Sequence, residues 1–268
     1  MLGADAVQRY QELPAAPPNR LAFRFEEAQL TIARSGWDED DLWLAYQAQP
    51  MGFLTAGHSH AGLLSFELCM NGEPVLIDPG TFTYSHRDGW RDHFRDAPAH
   101  NVVQLDEDQV FIPDGPFGWR NSTRLPGLAA TSPTDSELRA GYQREISAQA
   151  TIVHSRIWHI ESPRALRLTD EFDGRGRHRL IFWFHFPPGA RLRIVGKERV
   201  SVLLERRTAV ELVFEGFSHP RPIVREGSLD PLAGWASPGF DRKVPAPVLS
   251  IADEASFPTR RTVRLVCA

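Results

Sequence analysis

From Leu21 onward the chain is a succession of short runs, many alternating polar and apolar residues, with turn-forming stretches between them. They are Gln29 to Ala33, Leu42 to Gln47, Leu63 to Met70, Val75 to Ile77, Val102 to Leu105, Gln149 to Ile160 and Leu166 to Phe172. Arg179 to Phe186, Arg191 to Val195, Val200 to Leu204, Thr208 to Phe214, Val248 to Ile251 and Arg261 to Val266 continue the series. Side chains on a strand change face at every residue, so a period of two marks strands buried on one side. Helical spacing is almost absent from the same region. Many one-faced strands joined by turns hide their apolar faces by stacking two sheets, which predicts an all-β fold, a large antiparallel two-layer β-sandwich. Phe182-Trp183-Phe184 is unbroken aromatic and is expected between the sheets. With 268 residues, 42% of them hydrophobic, the chain can fill one sizeable core.

The N-terminus reads differently. Val7, Tyr10 and Leu13 share one helical stripe, and Pro14 to Pro18 (PAAPP) then stops the helix. Residues 1–20 are therefore expected as a helical remnant with a Pro/Ala linker, and 21–268 as the sandwich domain.

The stretch from Gly57 to Gln104 carries the chemistry. Five of the ten histidines, His58, His60, His86, His93 and His100, fall within it, where an even spread would put about two. Asn71-Gly72 separates two apolar runs and is the strongest short hairpin signal, because both residues tolerate positive φ. Antiparallel pairing about that turn sets Leu64 and Ser65 opposite Asp78 and Pro79, so His60 lies near Asp78 at one end of the hairpin. Ala99-His100-Asn101 then leads into another strand. Two imidazoles and a carboxylate brought together form a three-ligand metal site with an open position. On an extended backbone His58 and His60 point the same way, so either both bind one ion or one binds while the other meets substrate. Capping and loop histidines without a ligand give the same spacing.

Bulk properties narrow the field. The formal net charge of −4 gives no overall basic field for nucleic acid. Two cysteines make no disulfide framework, and Cys69 is expected as a buried free thiol. The sequence has no membrane-span-length apolar run and no signal peptide. The loop Ser85 to Asp96 mixes Arg87, Arg91 and Arg95 with Trp90 and Phe94, a combination suited to anionic sugars, although Asp88, Asp92 and Asp96 are there to pair the arginines. A glycoside hydrolase needs two carboxylates flanking the scissile bond, and nothing in the spacing marks Glu67 and Asp78 as that pair. Cupin-like metal enzymes also use His-x-His on a β-scaffold, but the ligand spacing fits them less well.

Three ordered motifs add a resemblance. Gly57 to Leu68 (GHSHAGLLSFEL) is similar to the G-H-x-H-A-D-x-L-S-F-E-L signature of the heparinase II/III family of polysaccharide lyases. Asp78 to Tyr84 (DPGTFTY) resembles its D-P-G-T-Y-T-Y, and Arg91 to Val103 its R-x-Y-F-R-x-T-x-A-H-N-T-V. Gly62 stands where the family has Asp, and Phe82 where Tyr is common. The resemblance implies metal ligands His60, Asp78 and His100 for a divalent ion, by preference Zn2+, with His58 at the active site. Arg95 and Tyr84 are the implied substrate contacts. The implied reaction is β-elimination on a uronic-acid-containing polysaccharide of glycosaminoglycan or alginate type. Family members carry an α/α-toroid before the sandwich that supplies further catalytic groups. This chain therefore resembles the C-terminal part of such a lyase, to be completed by an N-terminal toroid domain or chain. The alternative is a non-catalytic carbohydrate-binding or structural module. The anionic polysaccharide is the implied partner, and a periplasmic or secreted location follows by the same resemblance.

Overall fold

The structure is a computed structural model that describes residues 4–267, apart from 15, 49–50, 53–55, 86–87, 107–110, 121–128, 131–136, 148–149 and 207. His86 and Arg87 lie outside the described residues. Three larger antiparallel sheets carry the described fold. The first is a five-stranded meander in chain order: Ala22–Phe25, Leu30–Arg34, Trp43–Gln47, Phe66–Met70 and Glu73–Leu76. The second has four strands in the order Arg221–Arg225, Val248–Ser256, Arg177–His185 and Val103–Leu105. Ile77 N donates to His185 O at 3.0 Å and joins the two. The third sheet, of eight strands, runs Arg191–Ile194, Arg199–Leu203, Ala209–Glu215, Thr259–Cys267, Ala165–Asp173, Ala150–Ser162, Glu137–Ser147 and Ala129–Ala130.

The eight-stranded sheet packs across the other two, and one continuous apolar cluster fills the space between. Trp158 stacks on Tyr46 of the five-stranded sheet with ring centroids 4.2 Å apart, and Phe182 of the four-stranded sheet meets Phe217 at 5.0 Å. Cys267 Sγ lies 3.7 Å from Met70 Sδ, and both cysteines are buried and free. The two-layer all-β sandwich predicted from the alternation is the fold observed. The N-terminal helix also forms, over Ala4–Gln11, with Val7 and Tyr10 exposed.

Several local expectations change. The hairpin forms about Asn71-Gly72, but a register shift at Pro74 leaves Leu68 opposite Leu76 and Cys69 opposite Pro74. Its first strand begins only at Phe66, because Leu64 turns with φ 61° and Ser65 N bonds back to Gly62 O. Leu64 and Ser65 thus pair with Gln47 rather than with Asp78. Phe182 and Phe184 face the core, whereas Trp183 faces outward and bonds Gln104. The arginine-rich loop contains a six-residue helix, Trp90–Arg95, too short to leave a periodic pattern. Glu137–Ser147 is a long strand that polar composition concealed.

Candidate functional site

The five-stranded sheet turns Leu44, Tyr46, Phe66 and Leu68 inward and leaves Leu30, Ala45, Gln47 and Glu67 on its outer face. Those outer residues line one side of a cavity of about 540 Å³ that also takes in His58, His60, Asp78, Thr81 and His100. Three loops deliver the polar groups. The turn at Gly57-His58 precedes His60, the Asp78-Pro79-Gly80 bend follows the hairpin, and the 3-10 turn Ala97–Ala99 sets His100 as its C-cap. Asp78 Oδ1 accepts the Gly80 amide at 2.8 Å, which fixes the bend locally. Gly80 itself has φ +86°, and a Cβ there would stand 2.9 Å from Ser237 O.

His100 is 1% exposed. Its Nδ1 donates to Asp78 Oδ2 at 2.7 Å, leaving Nε2 buried without a hydrogen-bond partner. The His60 ring lies 5.3 Å from that of His100, and His60 Nε2 is 3.4 Å from Thr81 Oγ1. Burial, reinforced by the His100 charge, pushes His60 down to about 3, so it is a neutral imidazole near pH 7. The surroundings of Asp78 disfavour charge, yet the His100 ring and the Gly80 amide hold its carboxyl down at about 2. His93 and His185 flank the same cluster and are lowered by burial and by His100 to about 4 and about 3. Glu67 is raised by burial and then by the Asp78 charge.

The three expected ligands therefore share one cavity, but His100 and Asp78 bond each other directly. Among the described residues no group of three His, Cys, Asp or Glu side chains is already set to hold an ion. The donor set nevertheless fits one: two imidazoles, a carboxylate, and a buried His100 Nε2 that has no hydrogen-bond partner. Gly62, which stands where the family motif has Asp, packs against His100 so closely that a Cβ would lie 3.2 Å from its Cγ. No side chain at 62 stands beside that ring.

His58 sits in a turn and His60 lies outside any strand, and the two rings have different neighbours although both line the cavity. His58 is exposed, edge-on to Tyr84 at 5.4 Å and to Phe117 at 6.1 Å, while His60 turns toward His100. Tyr84 is half-buried, with the Arg91 guanidinium 4.9 Å from its ring centre. Arg95, expected at substrate, is instead completely buried. It donates to Pro116 O at 3.3 Å, to Gly115 O and to Asp92 at 3.0 Å, and lies against Trp119. Arg91 is likewise buried and donates to Pro116 O at 3.2 Å and Gly57 O at 3.1 Å. Neither arginine reaches solvent; each donates to backbone carbonyls of the loops around the cavity, while Arg91 Nη1 and Arg95 Nε are buried without a partner.

Sequence reasoning missed the supports. Asn101 Nδ2 donates to Phe66 O at 2.7 Å and Ile77 O at 3.0 Å, and its Oδ1 accepts His185 N at 2.7 Å, tying the two front sheets beside His100. From the opposite sheet, Arg156 Nη1 donates to Leu64 O at 3.1 Å and Asn101 O at 2.7 Å. Its Nε and Nη2 grip Asp170 at 2.8 and 3.1 Å, and His154 donates to the same carboxylate at 2.7 Å. The signal existed: Ile152, His154, Arg156, Trp158 and Ile160 form one alternating face, and charges on a core face mark a buried network.

Residues 17–263 match the family described as heparinase II/III-like, C-terminal. No curated protein sequence matches the chain significantly. Among solved structures, a heparinase III gene product superposes with TM-score 0.71 at 15% identity, covering 97% of this chain and 38% of that one. A heparan sulfate lyase from Pedobacter heparinus gives 0.70 at 17%, covering 93% and 36%, and another heparinase III gives 0.71 at 14%, covering 94% and 37%. Identities this low speak for the fold alone. The chain spans well under half the length of each of these proteins.

Proposed function

The chain belongs to the heparinase II/III-like C-terminal family, and from that premise we propose that it is the β-sandwich part of a lyase acting on uronic-acid-containing polysaccharide by β-elimination. A helical α/α-toroid domain, on the same protein or a separate chain, completes the cleft. The observation that carries the reading is the division of labour between neighbouring histidines: His58 stands exposed at the cavity mouth, while His60 turns inward beside Asp78 and His100.

In β-elimination a base removes the proton at C5 of the uronate, the electron pair forms the C4–C5 double bond, and the C4–O bond breaks as its oxygen is protonated. The carboxylate must be neutralised for C5 to become acidic. His58, exposed at the cavity mouth, is the group assigned to meet that carboxylate or to pass a proton. Tyr84 offers its hydroxyl beside it. His60, Asp78 and His100 are the residues that would hold a divalent ion, by preference Zn2+, which when bound supplies fixed positive charge and holds the loops together. Arg91 and Arg95 keep the same loops in place through their carbonyls.

The test is incubation of the protein, alone and with a toroid domain from such a lyase, with polymers of uronic acid, while ultraviolet absorbance of the unsaturated product is followed. His58→Ala is expected to abolish product while leaving folding and bound metal unchanged. His100→Ala is expected to release metal and lower the thermal midpoint, and unchanged metal stoichiometry would overturn the ligand assignment. Polymer retention with no product from the completed protein would make the chain a carbohydrate-binding module instead.

A further inference from the structure

Beside His58 three rings from three separate elements meet in the open. Tyr84 comes from the segment after the Asp78 bend. Phe117 comes from the tip of the hairpin Ile112–Pro113/Trp119–Arg120, and Phe240 from the tip of Trp235–Gly239/Arg242–Pro245. Tyr84 and Phe117 lie 6.1 Å apart at 23° between planes, and Tyr84 and Phe240 lie 5.8 Å apart at 35°. Phe117 is 46% exposed and Phe240 61%, in a chain that buries most of its other phenylalanines.

The arrangement is built rather than incidental. Arg91, 2% exposed, touches three of its parts: its guanidinium lies under the Tyr84 ring, and it bonds Gly57 O beside His58 and Pro116 O beside Phe117. Trp119 Nε1 adds a bond to Ala56 O at 3.0 Å. The Phe240 hairpin is held to the Tyr84 segment by Ser237 N to Pro79 O at 2.7 Å and Asp241 N to Phe82 O at 2.8 Å. Ring faces fixed before binding lose little freedom when a ligand arrives.

We infer that Tyr84, Phe117 and Phe240 form a stacking platform for a pyranose ring, the saccharide unit adjoining the one whose carboxylate meets His58. The inference rests on the lyase reading for the identity of the saccharide. A sugar ring presents a face of C–H groups, which packs on an aromatic face, and its hydroxyls stay in water at the open side. The platform runs into the cavity mouth through His58, so a chain lying on the rings passes directly over the imidazole.

The experiment is calorimetric titration of the whole protein with two probes, hexuronic-acid oligosaccharides prepared from alginate and neutral cello-oligosaccharides. Phe117→Ala and Phe240→Ala should each weaken oligosaccharide binding about tenfold, the double variant more, with thermal midpoints unchanged because both side chains are exposed. Phe117→Tyr and Phe240→Tyr should bind as the parent does, while Phe117→Leu and Phe240→Leu should not. Ile194→Ala, on the edge of the opposite sheet, should have no effect. Full binding by the leucine or alanine variants would overturn the platform and leave the uronate reading standing, with an apolar contact to a helical domain as the use of these rings. Ring-dependent binding of the neutral probe alone would support the platform and sink the uronate reading. No binding of either probe by the parent would overturn both.

Discussion

Arg156→Met tests whether the site is held from behind. The guanidinium makes four buried hydrogen bonds, two to Asp170 and one each to Leu64 O and Asn101 O. Arg156 and Asp170 are both 1% exposed, so water replaces none of these contacts. Methionine keeps the volume but leaves the Asp170 carboxylate with His154 as its remaining side-chain partner and strands two carbonyls. Breaking one side of a buried pair costs about 3–5 kcal/mol, a large share of the roughly 5–15 kcal/mol by which domains are stable. At a urea slope of about 3 kcal/mol per M, the unfolding midpoint should fall by on the order of 1–1.5 M. Arg156→Lys should lie close to methionine, because an ammonium cannot grip the carboxylate with two parallel bonds and reach both carbonyls. Adding Asp170→Asn to Arg156→Met should recover part of the loss, since the stranded charge is then gone. Urea unfolding of the parent, Arg156→Met, Arg156→Lys, Asp170→Asn and the double variant gives the comparison. A loss below about 1 kcal/mol for Arg156→Met, or strictly additive losses in the double variant, would refute the reasoning.

Two further perturbations probe the same frame. Burial holds His185 at about 3 in the fold against about 6.5 in the unfolded chain, so the unfolded state binds the extra proton and stability is lost as pH falls from about 6.5 toward 3; His185→Gln should flatten urea midpoints across that window, and an unchanged slope would contradict the assignment. Asn101→Ala strands Phe66 O, Ile77 O and His185 N and should cost about 3 kcal/mol; thermal unfolding checks it, and a cost within the noise would mean the two front sheets are joined otherwise.

Period-two alternation exposed the sandwich because each sheet has one wet face, and Asn71-Gly72 exposed the hairpin because its turn demands positive φ at both residues. The site was legible only as a set. His60, Asp78 and His100 share the cavity, but strand pairing does not bring them together as the sequence suggested. The shift at Pro74, which has no amide proton for the ladder, and the positive φ of Leu64 end the pairing early. The loops meet instead through Asn101 and Arg156, whose partners are backbone carbonyls distant in sequence, and such contacts have no local pattern. Arg95 shows the converse. An arginine beside aromatic residues reads as a ligand for anions, and only the structure reveals that it is buried and that its Nη atoms bond Asp92 and the carbonyls of Gly115 and Pro116.

These supports explain why a cavity built of loops can hold geometry. His60, Asp78 and His100 ride on three connections, none of which is anchored by its own ladder hydrogen bonds. Arg156 bonds Leu64 O, four residues past His60, and Asn101 O, one past His100. Two of the three loops are thereby referenced to a single side chain rooted in the opposite sheet, and Asn101 Nδ2 references the third through Ile77 O, next to Asp78. Positions measured from one rigid strand drift together, so relative distances at the cluster are kept even where each loop moves. His58 lies outside that frame and is placed by Arg91 through Gly57 O. The exposed imidazole can therefore shift toward a ligand without disturbing the trio anchored through Arg156 and Asn101.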